Sequence, residues 1–173
     1  MTESRGPVVR PIRAEDVADA ATALVDVHGT DGYPVEGVAQ PEAWIAPPGV
    51  VAAWVGVLDG QVVGHVAVMS PNGDEDAVAL WRSRGADGAD IGVLARLFVV
   101  RAARGRGLGE SLVREAMAFA RARSLRLVLD VLHKDAAAIR LYDHLGWHPI
   151  GEAQHHYGTN PPAPARCYTW PSP

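Results

Sequence analysis

The chain has 173 residues, of which 48% are hydrophobic and 21% charged, with a single cysteine and a net charge of −4. Against a typical domain of ~100–200 residues, this length predicts one domain over residues 1–173, and the apolar fraction excludes a disordered chain. The negative balance argues against nucleic acid as a partner, and a lone Cys167 excludes an internal disulfide, a cysteine-clustered zinc site and a Cys-x-x-Cys redox motif.

The polar start Met1–Arg13 lacks the apolar region of a signal peptide. The longest mainly apolar stretch, Val50–Leu58, is far short of the ~18 residues a bilayer span needs. The expectation is a soluble, cytoplasmic protein with no membrane partner. Val8–Ile12 is a short β-prone run, and Ala14–His28 carries Val17, Ala20, Ala21, Leu24, Val25 and His28 near the helical period, predicting strand then helix. Gly29–Gly49, rich in Gly and Pro around Tyr33 and Trp44, reads as a long loop or one short helix near Pro41–Ile45. The β-branched runs Val50–Leu58 and Gln61–Met69 flank Asp59-Gly60 and predict an antiparallel hairpin.

Pro71–Gly92 is acidic and glycine-rich around Trp81 and reads as a long solvated connection with room for one strand or helical turn. Leu94–Val100 follows as a strand, Gly107–Arg123 as a helix with Leu108, Leu112, Val113, Ala116, Phe119 and Ala120 on one face, and Leu125–Leu132 as a strand. Asp135 is placed to cap a helix running to Leu145, with Gly146 as its left-handed terminator. Ile150–His156 and Arg166–Trp170 close the chain as strands across Pro161–Pro164. A hairpin followed by strand, helix and strand predicts an α/β (α+β) fold with a mixed sheet and helices on its faces.

The richest chemistry lies in Arg104-Gly105-Arg106-Gly107-Leu108-Gly109, between a strand and a helix. Alternating glycines let backbone approach a ligand, the first helical turn offers unpaired N–H groups, and the helix dipole favours negative charge. A diphosphate is the natural guest, with Arg104 and Arg106 at the rim. A nucleoside-triphosphate P-loop fails because the turn has no Lys, and a G-x-G-x-x-G fingerprint fails because Glu110 or Leu112 occupies its last position. A third pattern fits from Arg104 to Gly109: Arg or Gln, two residues, Gly, one residue, then Gly or Ala.

With that pattern, with Leu97-Phe98-Val99, with Asp135 to Tyr142 followed by Gly146-Trp147, and with Gln61 to Val66, the chain resembles the GNAT superfamily of N-acetyltransferases over about residues 50–152. The resemblance implies a GNAT-like fold whose central mixed sheet has helices on both faces and splayed fourth and fifth strands. It implies acetyl-CoA as co-substrate and no metal. The pantetheine arm would pair with Leu97, Phe98 and Val99, and the diphosphate would lie over Arg104, Gly105, Arg106, Gly107, Leu108, Gly109 and Glu110. Asp135 stands where the family usually has an Asn that contacts pantetheine. A carboxylate accepts and does not donate, so a capping role is expected for it. Tyr142 matches the tyrosine that protonates the departing thiolate, and a backbone N–H near Val99 would stabilise the oxyanion.

Many relatives carry a Glu base six residues before the position of Val99, which here is Val93. Asp90, His65, His133 or a water between them are left as bases. Acceptor specificity is expected from Asp31-Gly32-Tyr33-Pro34, Trp44, Trp54, Trp81 and His155–Tyr168, where aromatic walls with Asp31, Glu36 and Glu42 suit a small cationic amine. His144, His148, His155 and His156 have no committed metal-ligand spacing. The expected function is direct acetyl transfer to the primary amine of a small molecule, by a protein that could form a homodimer. The competing readings are a non-catalytic acyl-CoA-binding or sensing protein, and an acetyltransferase for protein N-termini or lysines.

Overall fold

A computed structural model describes residues 5–85, 88 and 90–173. Parts of the polar start and of the Pro71–Gly92 connection lie outside the described residues. In chain order the elements are β1 (Val8–Pro11), α1 (Val17–Asp31), α2 (Pro41–Ile45), β2 (Val50–Leu58), β3 (Gln61–Met69), α3 (Asp76–Ser83), β4 (Ile91–Val99), α4 (Leu108–Ala122), β5 (Arg126–Leu132), α5 (Ala136–His144), β6 (His148–His155) and β7 (Ala163–Trp170). The strands make a seven-stranded mixed sheet in the order β1-β2-β3-β4-β5-β7-β6. β4 pairs parallel with β5 over Ile91–Val93, which fits the splayed pair, while β1 with β2, β5 with β7 and β6 with β7 are antiparallel. This is the mixed α/β sheet that the periodicities predict.

Two compact units make up the chain: residues 1–68 with 95–116, and 69–94 with 117–173. In the first, β1 pairs with β2 from Val8↔Val57 to Pro11↔Trp54. α1 buries Ala20, Ala21, Ala23, Leu24 and Val27, one face at helical spacing, in a cluster with Ile45, Phe98, Val100 and Ala103. The buried Asp16 carboxylate holds the entry to α1. It takes two bonds from the Arg10 guanidinium, at 2.7 and 2.9 Å, and one from the Arg13 N–H at 2.7 Å. Between β2 and β3, Asp59 and Gly60 have φ of 49° and 79°, the left-handed pair that a two-residue hairpin turn requires.

In the second unit the expected solvated connection contains an eight-residue helix, α3. Its cause is burial: Ala77, Val78 and Trp81 enter a cluster with Val93, Val128, Ile150 and Cys167. The helix opens where the Glu75 carboxylate accepts the Asn72 and Gly73 N–H groups. β4 also begins at Ile91, ahead of the expected Leu94, because Ile91, Gly92 and Val93 are the residues that pair with β5. β7 pairs with β5 from Leu127↔Trp170 to Leu132↔Ala165, and its register with β6 shifts between Pro149 and Gly151. Cys167 is fully buried here, and burial, with the charges of Asp130, Asp76 and Glu152, pushes its thiol up to about 12. No helix among the described residues is long and apolar enough to cross a membrane.

Candidate active site

In the first unit the site is built on β4. Arg96 has φ of 62° inside this strand, a left-handed conformation that costs a non-glycine residue ~1–2 kcal/mol. Its carbonyl accepts a hydrogen bond from His65 Nδ1 at 2.8 Å. The His65 ring is fully buried, stacked on Phe98 at 5.6 Å and 6.5 Å from Trp44. Burial pulls its pKa down to about 4, so the ring is neutral at pH 7 with its proton on Nδ1, and Nε2 is buried with no partner among the described residues. A base that weak cannot hold a proton taken from an ammonium. His65 therefore reads as a support for the strained turn of β4.

A pH dependence follows. The neutral ring is favoured in the folded state, so its stabilisation is complete above the unfolded value of 6.5 and is lost as pH falls toward about 4. The loss reaches as much as ~3 kcal/mol. Denaturant unfolding at pH 7 and pH 4 should show wild type losing more stability than His65→Gln, whose neutral amide keeps a donor for the Arg96 carbonyl.

Just past the end of the strand, the Val100 N–H donates to the Val63 carbonyl at 2.8 Å. Alternate residues of a strand turn their backbone groups to opposite edges, so Leu97 and Val99 present theirs away from β3. An extended pantetheine arm can pair along that edge. The following turn is open: Gly105 and Gly107 have φ of 77° and 74°, and a Cβ built on either meets nothing within 4 Å. The first bond of α4 runs from the Ser111 N–H to the Gly107 carbonyl at 3.0 Å. The N–H groups of Leu108 and Gly109 therefore precede the helix's internal bonding and are aimed outward. This cradle fits the diphosphate of acetyl-CoA.

Two expectations for this turn change. The Arg104 N–H is occupied by the Arg101 carbonyl at 3.2 Å, so donors for a guest begin at Gly105. The Arg104 side chain is occupied too: Nε donates to the Val99 carbonyl at 2.9 Å and the guanidinium pairs with Asp31. It braces the turn, while Arg106 stays exposed at the rim. Asp31 also meets Arg101 at 3.3 Å, and the Arg104 hydrogen bond holds its carboxyl below the usual carboxylate range. A carboxylate neutralised by two arginines is not an anchor for a cationic amine.

The second unit contains Tyr142, which is buried with its ring 5.5 Å from Trp147 and 5.9 Å from Tyr168. Burial, reinforced by Asp130 and Asp135, raises its pKa well above the ordinary tyrosine value. Asp135 is the N-cap residue of α5, but through its backbone: its carbonyl accepts the Ile139 N–H at 3.1 Å and its side chain makes no capping bond. Val93, where a carboxylate base is usual, is a core residue at 6% exposure. His133 pairs with Glu152, which also meets Arg166 at 3.4 Å, and Asp90 is exposed. Among the described residues no three His, Cys, Asp or Glu side chains gather as metal ligands.

Sequence reasoning overlooked Arg96. The readable sign was an arginine within the otherwise apolar run Leu94–Val100. Its partners come from distant segments, with Nη1 donating to the Trp44 carbonyl and the guanidinium carbon 4.7 Å from the Trp44 ring centroid.

The model of the family described as "Acetyltransferase (GNAT) family" matches residues 19–147. A curated relative, N-acetylaspartate synthetase of Danio rerio, is 32% identical over 118 residues, covering 68% of this chain and 36% of that protein. The chain spans about a third of the length of the curated relatives it matches. Among solved structures, Arabidopsis thaliana NAA60 in complex with acetyl-CoA has a TM-score of 0.72 at 19% identity, covering 95% of this chain and 97% of that one. Ribosomal-protein-alanine N-acetyltransferase from Brucella melitensis has a TM-score of 0.70 at 20% identity, covering 94% and 98%. At these identities the likeness to solved structures is one of fold.

Proposed function

We infer the reaction from the premise that the chain belongs to the GNAT acetyltransferase family: it is an acetyl-CoA-dependent N-acetyltransferase that passes the acetyl group directly to a primary amine of a small molecule. The observation that carries this reading is the left-handed, open turn at Gly105 and Gly107 that leads into α4. Backbone N–H groups from Gly105 to Gly109 hold the diphosphate, with Arg106 adding charge at the rim. The backbone edge at Leu97 and Val99 takes the pantetheine arm, with the Phe98 backbone between them turned toward β3, and the Val99 N–H polarises the acetyl carbonyl.

The amine attacks as the neutral base, the bond from acetyl carbon to sulfur breaks, and the thiolate leaves with its electron pair. Tyr142, kept protonated by its burial, gives the thiolate a proton and recovers one from solvent. With Val93 in the core, the proton lost by the attacking nitrogen passes to water. A small-molecule acceptor is supported by the curated relatives, which are named for making N-acetylaspartate. The fold neighbours named as protein N-acetyltransferases support the second reading, an acceptor on protein N-termini or lysines.

Thiol release from acetyl-CoA against a panel of amino acids, polyamines and peptides tests this. Turnover on free amines is the expected result. Turnover on peptides alone would transfer the reading to proteins, and CoA binding with no turnover would leave a binding or sensing protein.

A further inference from the structure

Arg96 is half-buried and, among the described residues, has no carboxylate within ion-pair distance. Other arginines of the same unit do: Arg10 pairs with Asp16, Arg101 and Arg104 with Asp31, and Arg114 with Glu110. A guanidinium offers five N–H donors in a planar fork, and here a single hydrogen bond, to the Trp44 carbonyl, draws on them. One face of the fork lies on the Trp44 ring, 4.7 Å from its centroid. Tyr33 meets that same ring edge-on at 5.9 Å. Burial lowers the Arg96 pKa, while the Tyr33 and Glu36 charges work to raise it. The cation is thus partly stripped of water, oriented by an aromatic platform, and left with most of its donors for an incoming anion.

Its backbone points the same way. The left-handed φ at Arg96 is strain inside a strand, and it persists because the buried His65 satisfies the Arg96 carbonyl. Such strain gathers where a side chain must be aimed. The residue aimed here stands immediately before Leu97, the start of the segment assigned to the pantetheine arm.

We propose that Arg96 is the specificity residue for the acceptor and binds its carboxylate through the free part of the guanidinium fork, with Trp44 and Tyr33 as an apolar wall. The substrate class is then a small amine that also carries an acid group, an amino acid, and not a polyamine. This deepens the small-molecule transferase reading and rests on it. The chemistry balances as before: nitrogen gains the acetyl carbon, sulfur leaves with the electron pair and takes a proton, the attacking nitrogen loses one, and the carboxylate is unchanged.

The test is thiol release with matched acceptors: glycine against glycinamide, L-alanine against L-alaninamide, and L-aspartate against L-asparaginamide. Rates are compared per concentration of neutral amine, because the amides have the less basic nitrogen. Wild type should favour the acids in kcat/KM by about 10- to 100-fold, the range of a charge-assisted bond. Arg96→Gln should erase that preference by raising KM for the acids alone, Arg96→Lys should retain part of it, and CoA should raise Tm equally in all three proteins.

Equal use of acid and amide by wild type would overturn the proposal and leave the transferase reading standing. So would an Arg96→Gln variant that loses the same factor on both members of each pair. Turnover confined to peptides with an acidic second residue would overturn the small-molecule class. Stabilisation by acetyl-CoA with no turnover on any acceptor would overturn the transferase reading and this one with it.

Discussion

Gly107→Asp is expected to abolish CoA binding while leaving the protein folded. Gly107 has φ of 74° and open space where a side chain would start, so the change meets no wall. Asp is among the few residues that tolerate a left-handed backbone, and the strain costs on the order of 1 kcal/mol. The damage is electrostatic. A carboxylate would stand over the N–H groups proposed for the diphosphate and would compete for them as an internal ligand. Two like charges ~4 Å apart near a protein surface repel by ~4 kcal/mol, about a thousandfold in affinity. Gly107→Asn is the control, with nearly the same shape and backbone tolerance and no charge, and it should retain measurable binding. Thermal-shift titration with CoA reads both. An Asp variant whose midpoint responds as wild type does would remove residues 105–109 from the site.

Tyr142→Phe should lower kcat by roughly 10- to 10³-fold, toward the lower part of the general-acid range, with stability and CoA affinity near normal. The change keeps the ring that packs on Trp147 and Tyr168 and removes the hydroxyl alone. A thiol has a reference pKa of ~8.5 and tyrosine ~10, and burial raises Tyr142 further. Complete transfer to the thiolate is therefore uphill, and the phenol is useful as a hydrogen-bond donor whose proton moves only as the sulfur leaves. The same shift has a sign that can be checked. The alkaline loss of kcat caused by deprotonating Tyr142 should lie above the ordinary tyrosine range and be missing from Phe. Steady-state thiol release with an active acceptor, under conditions where chemistry is rate-limiting, decides it. Wild-type kcat in Phe would reduce Tyr142 to packing.

The glycine turn and the α5 helix that these variants probe were legible in the sequence because each rests on a local pattern. Alternating glycines opening a helix state their own conformation, and Gly105 and Gly107 adopt it. Asp59-Gly60 likewise announces its turn. What escaped is what depends on residues far apart. α3 has eight residues, too few to show a period, and it exists because Trp81 finds Val128 and Ile150. Asp31 looked like an amine anchor until Arg104, 73 residues later, closed on it. The left-handed turn at Arg96 is held by His65, 31 residues earlier, and nothing within Leu94–Val100 encodes it. Asp135 sits at the cap position that its residue type suggests, yet serves through its carbonyl, a choice between side chain and backbone that residue type alone does not make.

The turnover assays above count CoA thiols, usually with an aromatic disulfide that any accessible cysteine would also consume. Cys167 lies at 0% exposure in the core of the second unit, its thiol held protonated, and the thiolate is the form that attacks a disulfide. The folded protein is therefore silent to the reagent, and the signal belongs to released CoA. Because Cys167 is the single cysteine of the chain, the same silence makes it a built-in reporter: colour that develops at one equivalent per chain, with no acetyl-CoA present, counts molecules whose second unit has opened. A variant that has lost activity can thus be sorted in one cuvette into those that fold and do not turn over and those that no longer fold.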